Sequence, residues 1–128
     1  MPSIIEQEVV LPADPRRVYQ TLTESRPFGD ATGDAAEIGA GVGAAFSCFG
    51  GRITGRHIEM LPGERLVQAW RSKSWAPGVY SIVRFELKPE GARTRLSFTH
   101  SGFPEGEFQH LSEGWKMMYW DRLQTYLA

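Results

Sequence analysis

Residues 99–127 read THSGFPEGEFQHLSEGWKMMYWDRLQTYL, and a change of hydrophobic period inside this stretch decides the fold. On its far side, apolar residues fall at Phe108, Leu111, Trp115, Met118 or Tyr119, Leu123, and Tyr126 or Leu127. That is the 3.6-residue stripe of a helix about five or six turns long. On its near side, ARTRLSFTHS alternates: Thr94, Leu96, Phe98 and His100 share one face, against Arg93, Arg95, Ser97 and Thr99. Period two is the mark of a half-buried strand. GFPEGE between them carries Gly102 and Pro104, the residues of a turn. A strand therefore runs straight into a long helix, and both present an apolar face.

Upstream the alternation continues as a meander. VYSIVRFELK puts Val79, Ser81, Val83, Phe85 and Leu87 on one face, and ERLVQAWRS, RITGRHIEML and GAAFSCFGG supply three more strands. Pro62–Gly63 and Pro89–Gly91 mark turns between them. The chain opens with IIEQEVVL, in which Ile5, Gln7, Val9 and Leu11 lie opposite Glu6 and Glu8. ADPRRVYQTLTE follows as a short helix, with Asp14 at the N-cap and Pro15 at the first helical position. The glycine-rich segment from Ser25 to Gly43 reads as a loop, with at most one helical turn near Pro27 and a short strand around Ala35 to Ile38. The order predicts an α+β domain spanning residues 1–128, with a seven-stranded antiparallel sheet curved around the terminal helix.

Composition narrows the function. Fifteen acids against fourteen Lys and Arg leave a formal charge of −1 without charged blocks, so no nucleic-acid footprint is present. No apolar run is long enough to span a membrane and the first residues carry no secretory pattern, so a soluble, cytoplasmic protein is expected. The lone Cys48 excludes an internal disulfide, and its neighbours suggest a small buried residue, not an activated thiolate. GDATGDAAEIGAGVG and CFGGRITG neither follow a strand into a helix nor end in GK[ST]; they read as turns, not phosphate loops. The aromatic share of 12 % must fill a core or line a cavity.

His100 is the sharpest single residue. Its parity sends it inward, where it serves as a hydrogen-bonded core histidine, a ligand-orienting or acid/base group, or a metal ligand. The spacing of His57, His100 and His110 matches no compact metal pattern, so no metal and no cofactor is expected. His110 stands three residues from both Glu107 and Glu113, the arrangement of a solvated helix face. Trp115 and Met118 fall on the inward stripe, and Trp75 sits at the tip of the loop SKSWAPGVYS, either as a lid or as cover for a sheet edge.

Taken together, PGERLVQAWR, the Trp75 loop, VYSIVRFELK, TRLSFTHSGFP and EGWKMMYWDRLQTYL resemble the START-like, helix-grip superfamily. Within it they look like the branch homologous to the C-terminal domain of the activator of heat-shock protein 90 ATPase. The resemblance covers nearly the whole chain and implies a β-αα-β6-α order with a hydrophobic cavity between sheet and helix. It places Val83, Phe85, Phe98, His100, Leu111, Trp115, Met118 and Tyr119 on the cavity wall. SRPFGDATG departs from the family, in which aromatic residues are frequent there. The leading expectation is binding of a small apolar or amphipathic molecule without catalysis. Two alternatives stand beside it: a cyclase-, aromatase- or hydrolase-type enzyme with His100 as acid/base, aided by Arg84 or Tyr119, and a protein-interaction module, either co-chaperone-like or a homodimer.

Overall fold

The computed structural model describes residues 3–128. Seven strands form one antiparallel sheet: β1 (Ile4–Leu11), β2 (Glu37–Ile38), β3 (Ala45–Cys48), β4 (Ile53–Leu61), β5 (Arg65–Ser72), β6 (Ser81–Glu90) and β7 (Arg93–Ser101). Their spatial order is β1-β7-β6-β5-β4-β3-β2, so every pairing joins sequence neighbours except β1 with β7. Two helices, α1 (Pro15–Thr23) and α2 (Ser25–Thr32), occupy the β1–β2 connection. A terminal helix of three parts, α3 (Phe108–Gly114), a wide π-turn (Trp115–Trp120) and α4 (Asp121–Leu127), lies across the concave face. This is the helix-grip arrangement.

Local chemistry explains most boundaries. The Asp14 carboxylate accepts from Arg17 N–H at 2.9 Å and Pro15 opens α1, as the sequence indicates. The expectation of a loop after Ser25 is corrected: α2 is a helix of eight residues. Its only large apolar side chain is Phe28, whose ring meets Phe49 and Tyr119 edge-on at 5.9 and 5.7 Å. Thr32 turns its hydroxyl back onto the Phe28 carbonyl, and Gly33, with φ 79°, ends the helix in the left-handed region. One tertiary anchor and a glycine cap outweigh a composition poor in helix formers.

Strict alternation breaks once inside the sheet. Between His57 and Glu59 the β4–β5 register slips by one residue, a bulge that lets Met60 face Leu66 on the core side and turns Glu59 outward to Arg65. Upstream of the bulge, Gly55 lies beneath the Phe46 ring. A Cβ there would stand 1.9 Å from the Ala69 carbonyl oxygen and 2.6 Å from Phe46. Gly55→Ala is therefore expected to destabilise by about 1–3 kcal/mol despite the backbone entropy it saves, because overpacking against backbone exceeds that ~0.5–1 kcal/mol gain. Urea denaturation reads this directly, and an unchanged midpoint would count against the close approach.

The core lies between the sheet's concave face and the terminal helix. β6 contributes Ser81, Val83, Phe85 and Leu87, and β7 contributes Thr94, Leu96, Phe98 and His100, all buried. The helix answers with Leu111, Trp115, Tyr119, Trp120, Leu123 and Leu127. A strict 3.6-residue stripe misses Trp120. The π-turn widens the helix so that residues five apart share a face, and Trp115 and Trp120 stack at 5.8 Å with 23° between their planes.

Candidate functional site

Two environments meet under the terminal helix, a packed aromatic layer and an open recess beside it. In the packed layer, Trp115 lies 4.2 Å from Phe98, 4.1 Å from Tyr119 and 5.3 Å from Trp70, centroid to centroid. Phe85 and Phe98 close it from below.

His100 is wired into this layer. Ser81 Oγ–H donates to the Trp70 carbonyl at 2.8 Å, which uses the only proton of that hydroxyl. Ser81 Oγ must then accept from His100 Nε2–H at 2.7 Å. Nδ1 is left to accept the Trp115 Nε1–H at 2.9 Å. The chain Trp115 to His100 to Ser81 to the Trp70 carbonyl fixes one neutral tautomer and engages both ring nitrogens. Burial lowers the His100 pKa from 6.5 to about 3, so the ring stays uncharged at neutral pH.

The recess, of about 330 Å³, opens between the helix and the ends of β4 and β5. Leu111, Gly114, Trp115, Met118 and Tyr119 form its helix side, and Phe49, Ile53 and Trp70 its sheet side. Arg52, Ser72, Glu107 and His110 rim it. Depressions of about 610 Å³ beside β2–β4 and about 510 Å³ between β1 and the helix are larger, but they open more widely to solvent. Chemistry and enclosure favour the smaller one.

Four of the eight residues expected on a cavity wall, Leu111, Trp115, Met118 and Tyr119, do line the recess. Val83, Phe85, Phe98 and His100 do not; they belong to the packed layer, each at most 1 % exposed. Arg84 points away, half-exposed beside Glu86. His110, read as a surface residue, is exposed yet stands at the recess rim. Sequence parity for Trp70 was available, since it shares a face with Leu66 and Gln68 on β5. Gly114 was also visible as a glycine in mid-helix. Nothing in the sequence announced Ile53 or Phe49, which arrive through the β3–β4 turn.

Trp75 closes one end of this region. It is buried against Trp70, ring centroids 5.7 Å apart, and its Nε1–H donates to Glu107 Oε1 at 3.1 Å. Arg71 holds the loop by donating to the carbonyls of Trp75 and Ala76. The loop thus ties the sheet to the start of the terminal helix. On the opposite flank, Gln7 accepts from Trp120 Nε1–H at 2.6 Å and donates to the Ser112 carbonyl at 3.0 Å.

Reactive groups are scarce. Burial pushes the Cys48 thiol up to about 12, and the Tyr119 phenol, packed among Cys48 and Trp70, well above its usual value. Neither ionises near neutral pH. His57 is buried on Phe46 with Nε2 at 3.1 Å from the Gly39 carbonyl, and burial lowers its pKa too. Among the described residues no group of three or more His, Cys, Asp or Glu could hold a metal ion, and no helix is long and apolar enough to cross a membrane.

A seven-stranded sheet gripping a terminal helix, with a recess between them, defines a START-like helix-grip domain. The family model described as Activator of Hsp90 ATPase homolog 1-like protein matches residues 12–128, and the chain belongs to that family. An activator of 90 kDa heat shock protein ATPase homolog from Dictyostelium discoideum is 33 % identical over 116 residues, covering 88 % of this chain and 29 % of that protein. The chain thus spans about a third of the length of the curated relatives it matches. The fold is shared with the crystal structure of an HSP90 activator from Plasmodium falciparum, at TM-score 0.91 and 23 % identity over 97 % of this chain and 95 % of that one. It is shared also with the solution structure of the Aha1 dimer from Colwellia psychrerythraea, at TM-score 0.81 and 20 % identity over 97 % and 96 %.

Proposed function

We propose that this domain acts as a non-catalytic binder of a small apolar or amphipathic molecule, held in the recess between the terminal helix and the sheet. The observation that carries this is Gly114. It sits at φ −61° and ψ −43° in the middle of a helix, where any other residue except proline fits the backbone. A Cβ at this position meets nothing within 4 Å, and the residue lines the recess. Mid-helix glycine costs about 0.5–1 kcal/mol relative to alanine. Here it keeps the recess open. The recess volume also falls at the small end of the ~300–1,000 Å³ usual for ligand sites.

Catalysis through His100 has less support. Its two nitrogens are engaged with Trp115 and Ser81, and Trp115 stands between it and the recess. A proton transfer to a bound molecule would need that chain to break. Native mass spectrometry of protein purified from its own host tests the binding reading: a small molecule released on denaturation is expected, and a bare chain from every growth condition would contradict it.

The curated relatives favour a second reading, action on a heat-shock protein 90 ATPase in the cytosol, since they are named as activators of that enzyme. The dimeric structure of the Colwellia protein makes self-association part of the same reading. Stimulation of the host chaperone's ATPase by the purified protein, with light scattering to give the oligomeric state, separates this from small-molecule binding.

A further inference from the structure

Among the described residues, Phe49 is the only non-glycine with a positive φ, 54°. A bulky side chain is an outlier in this left-handed region, where its Cβ crowds the backbone. Gly50 and Gly51 follow at φ 67° and 93°, and a third glycine would take the turn without strain. The backbone is pinned there nonetheless. Gly50 N–H donates to the Ala35 carbonyl at 3.0 Å, and Arg52 donates to the Phe49 carbonyl from its backbone N–H at 3.3 Å and from Nε at 3.1 Å. Strain that surrounding contacts hold in place clusters at ligand clamps and other functional sites. What the strain achieves here is the position of the ring. Phe49 lines the recess while only 4 % exposed, and its ring meets Phe28 at 5.9 Å and Tyr119 at 5.4 Å, both edge-on. Phe28 touches these two wall residues but is not itself part of the wall. Phe28 also reaches Tyr119 directly at 5.7 Å, so α2 holds the terminal helix without passing through Phe49.

Resting on the reading of the recess as a ligand site, we infer that Phe49 is its specificity-determining residue: the ring closes the recess on the α2 side and limits the length of apolar chain that fits. The ring stands between the open space and Phe28, so its removal joins the recess to the volume beneath α2. The ligand chemistry that suits this arrangement is an apolar chain directed inward with a polar end left at the rim. Arg52, Ser72 and Glu107 supply polar partners there, whereas a polar end buried among Phe49, Trp115 and Met118 would lose its water without replacement. A glycine at position 49 would satisfy the backbone and leave the chain length unchecked. Phenylalanine accepts the backbone strain and sets the limit.

The test is the chain-length dependence of binding, with the straight-chain alcohols from 1-butanol to 1-decanol titrated into wild type and Phe49→Gly and followed by ¹H–¹⁵N NMR. Each methylene that becomes buried is worth about fourfold in affinity. In wild type the affinity should climb at that rate until the chain meets Phe49, and then level off. In Phe49→Gly the climb should continue for about two further methylenes, so that the longest alcohols bind about fifteenfold more tightly than to wild type while the shortest bind equally. A ring that served only to pack the core would leave the levelling point where it is. In wild type, the terminal methyl of a bound alcohol at the levelling point should show nuclear Overhauser contacts to the Phe49 ring, and this decides alone if Phe49→Gly fails to fold. An unchanged levelling point in a folded Phe49→Gly protein, or bound alcohol whose terminal methyl contacts other residues and not Phe49, would overturn the assignment and leave the ligand site standing. Failure of every alcohol to bind either protein would overturn both.

Discussion

Trp115→Ala should lower the unfolding free energy by about 3–5 kcal/mol, the range for emptying a large aromatic site in a core. Trp115 is 2 % exposed and packs against Phe85, Phe98, Tyr119, Trp120 and Trp70. Its loss also strips the partner from His100 Nδ1. Trp115→Phe divides the two contributions, since it keeps most of the bulk and removes the N–H; it should cost about 1–3 kcal/mol through the unpaired nitrogen. Met117→Ala, two positions on and 63 % exposed, should stay within about 0.5 kcal/mol. Urea denaturation of the three variants reads the series. A loss under about 1.5 kcal/mol for Trp115→Ala would mean that the aromatic layer is not what joins helix to sheet.

The second large effect is a loss of stability on mild acidification. The His100 pKa is lowered from 6.5 to about 3 by burial. Above pH 6.5 the ring is neutral in both states and the stability is fully present. Below it the unfolded chain takes up a proton that the folded chain refuses, so stability falls with pH until the folded value near 3 is reached. The slope is about 1.4 kcal/mol per pH unit, or about 2 kcal/mol between pH 6.5 and 5. His57, shifted in the same direction, adds to the loss. His100→Gln retains a donor and an acceptor but cannot be protonated; its stability between pH 7 and 5 should fall about 2 kcal/mol less than wild type. An identical pH profile for the two proteins would show that His100 is charged in the folded state or that its burial is relieved.

The architecture was readable because two periods are written plainly in the chain. Alternation through Thr94, Leu96, Phe98 and His100 places all four inward, and each is at most 1 % exposed. The stripe from Leu111 to Leu127 gives the gripping helix. What escaped depended on geometry that parity does not encode. α2 forms because Phe28 finds Phe49 and Tyr119, contacts made across the fold. Trp120 turns inward because a π-turn interrupts the 3.6 repeat, and Met60 because a bulge shifts β4 by one residue. The recess was half legible. The helix side follows the stripe, but the expected sheet side, Val83, Phe85, Phe98 and His100, is the layer that Trp115 covers. Parity gives the face a residue occupies and not how deep along the groove a bulky neighbour fills it. The polar chain through His100 was legible only as a question, because its acceptor, Ser81, and its donor, Trp115, come from two other elements.

The central claim, that mid-helix Gly114 holds open a ligand recess, meets its most direct test in Gly114→Leu. Binding of the apolar dye 1-anilinonaphthalene-8-sulfonate, read by its fluorescence, and urea stability should be measured on the same samples as wild type. The account predicts that the variant folds with stability equal to or up to about 1 kcal/mol above wild type, since helix propensity improves and the side chain enters open space. It predicts that binding falls at least tenfold, because the leucine occupies the volume the ligand needs. Unchanged binding in a well-folded Gly114→Leu protein would contradict it.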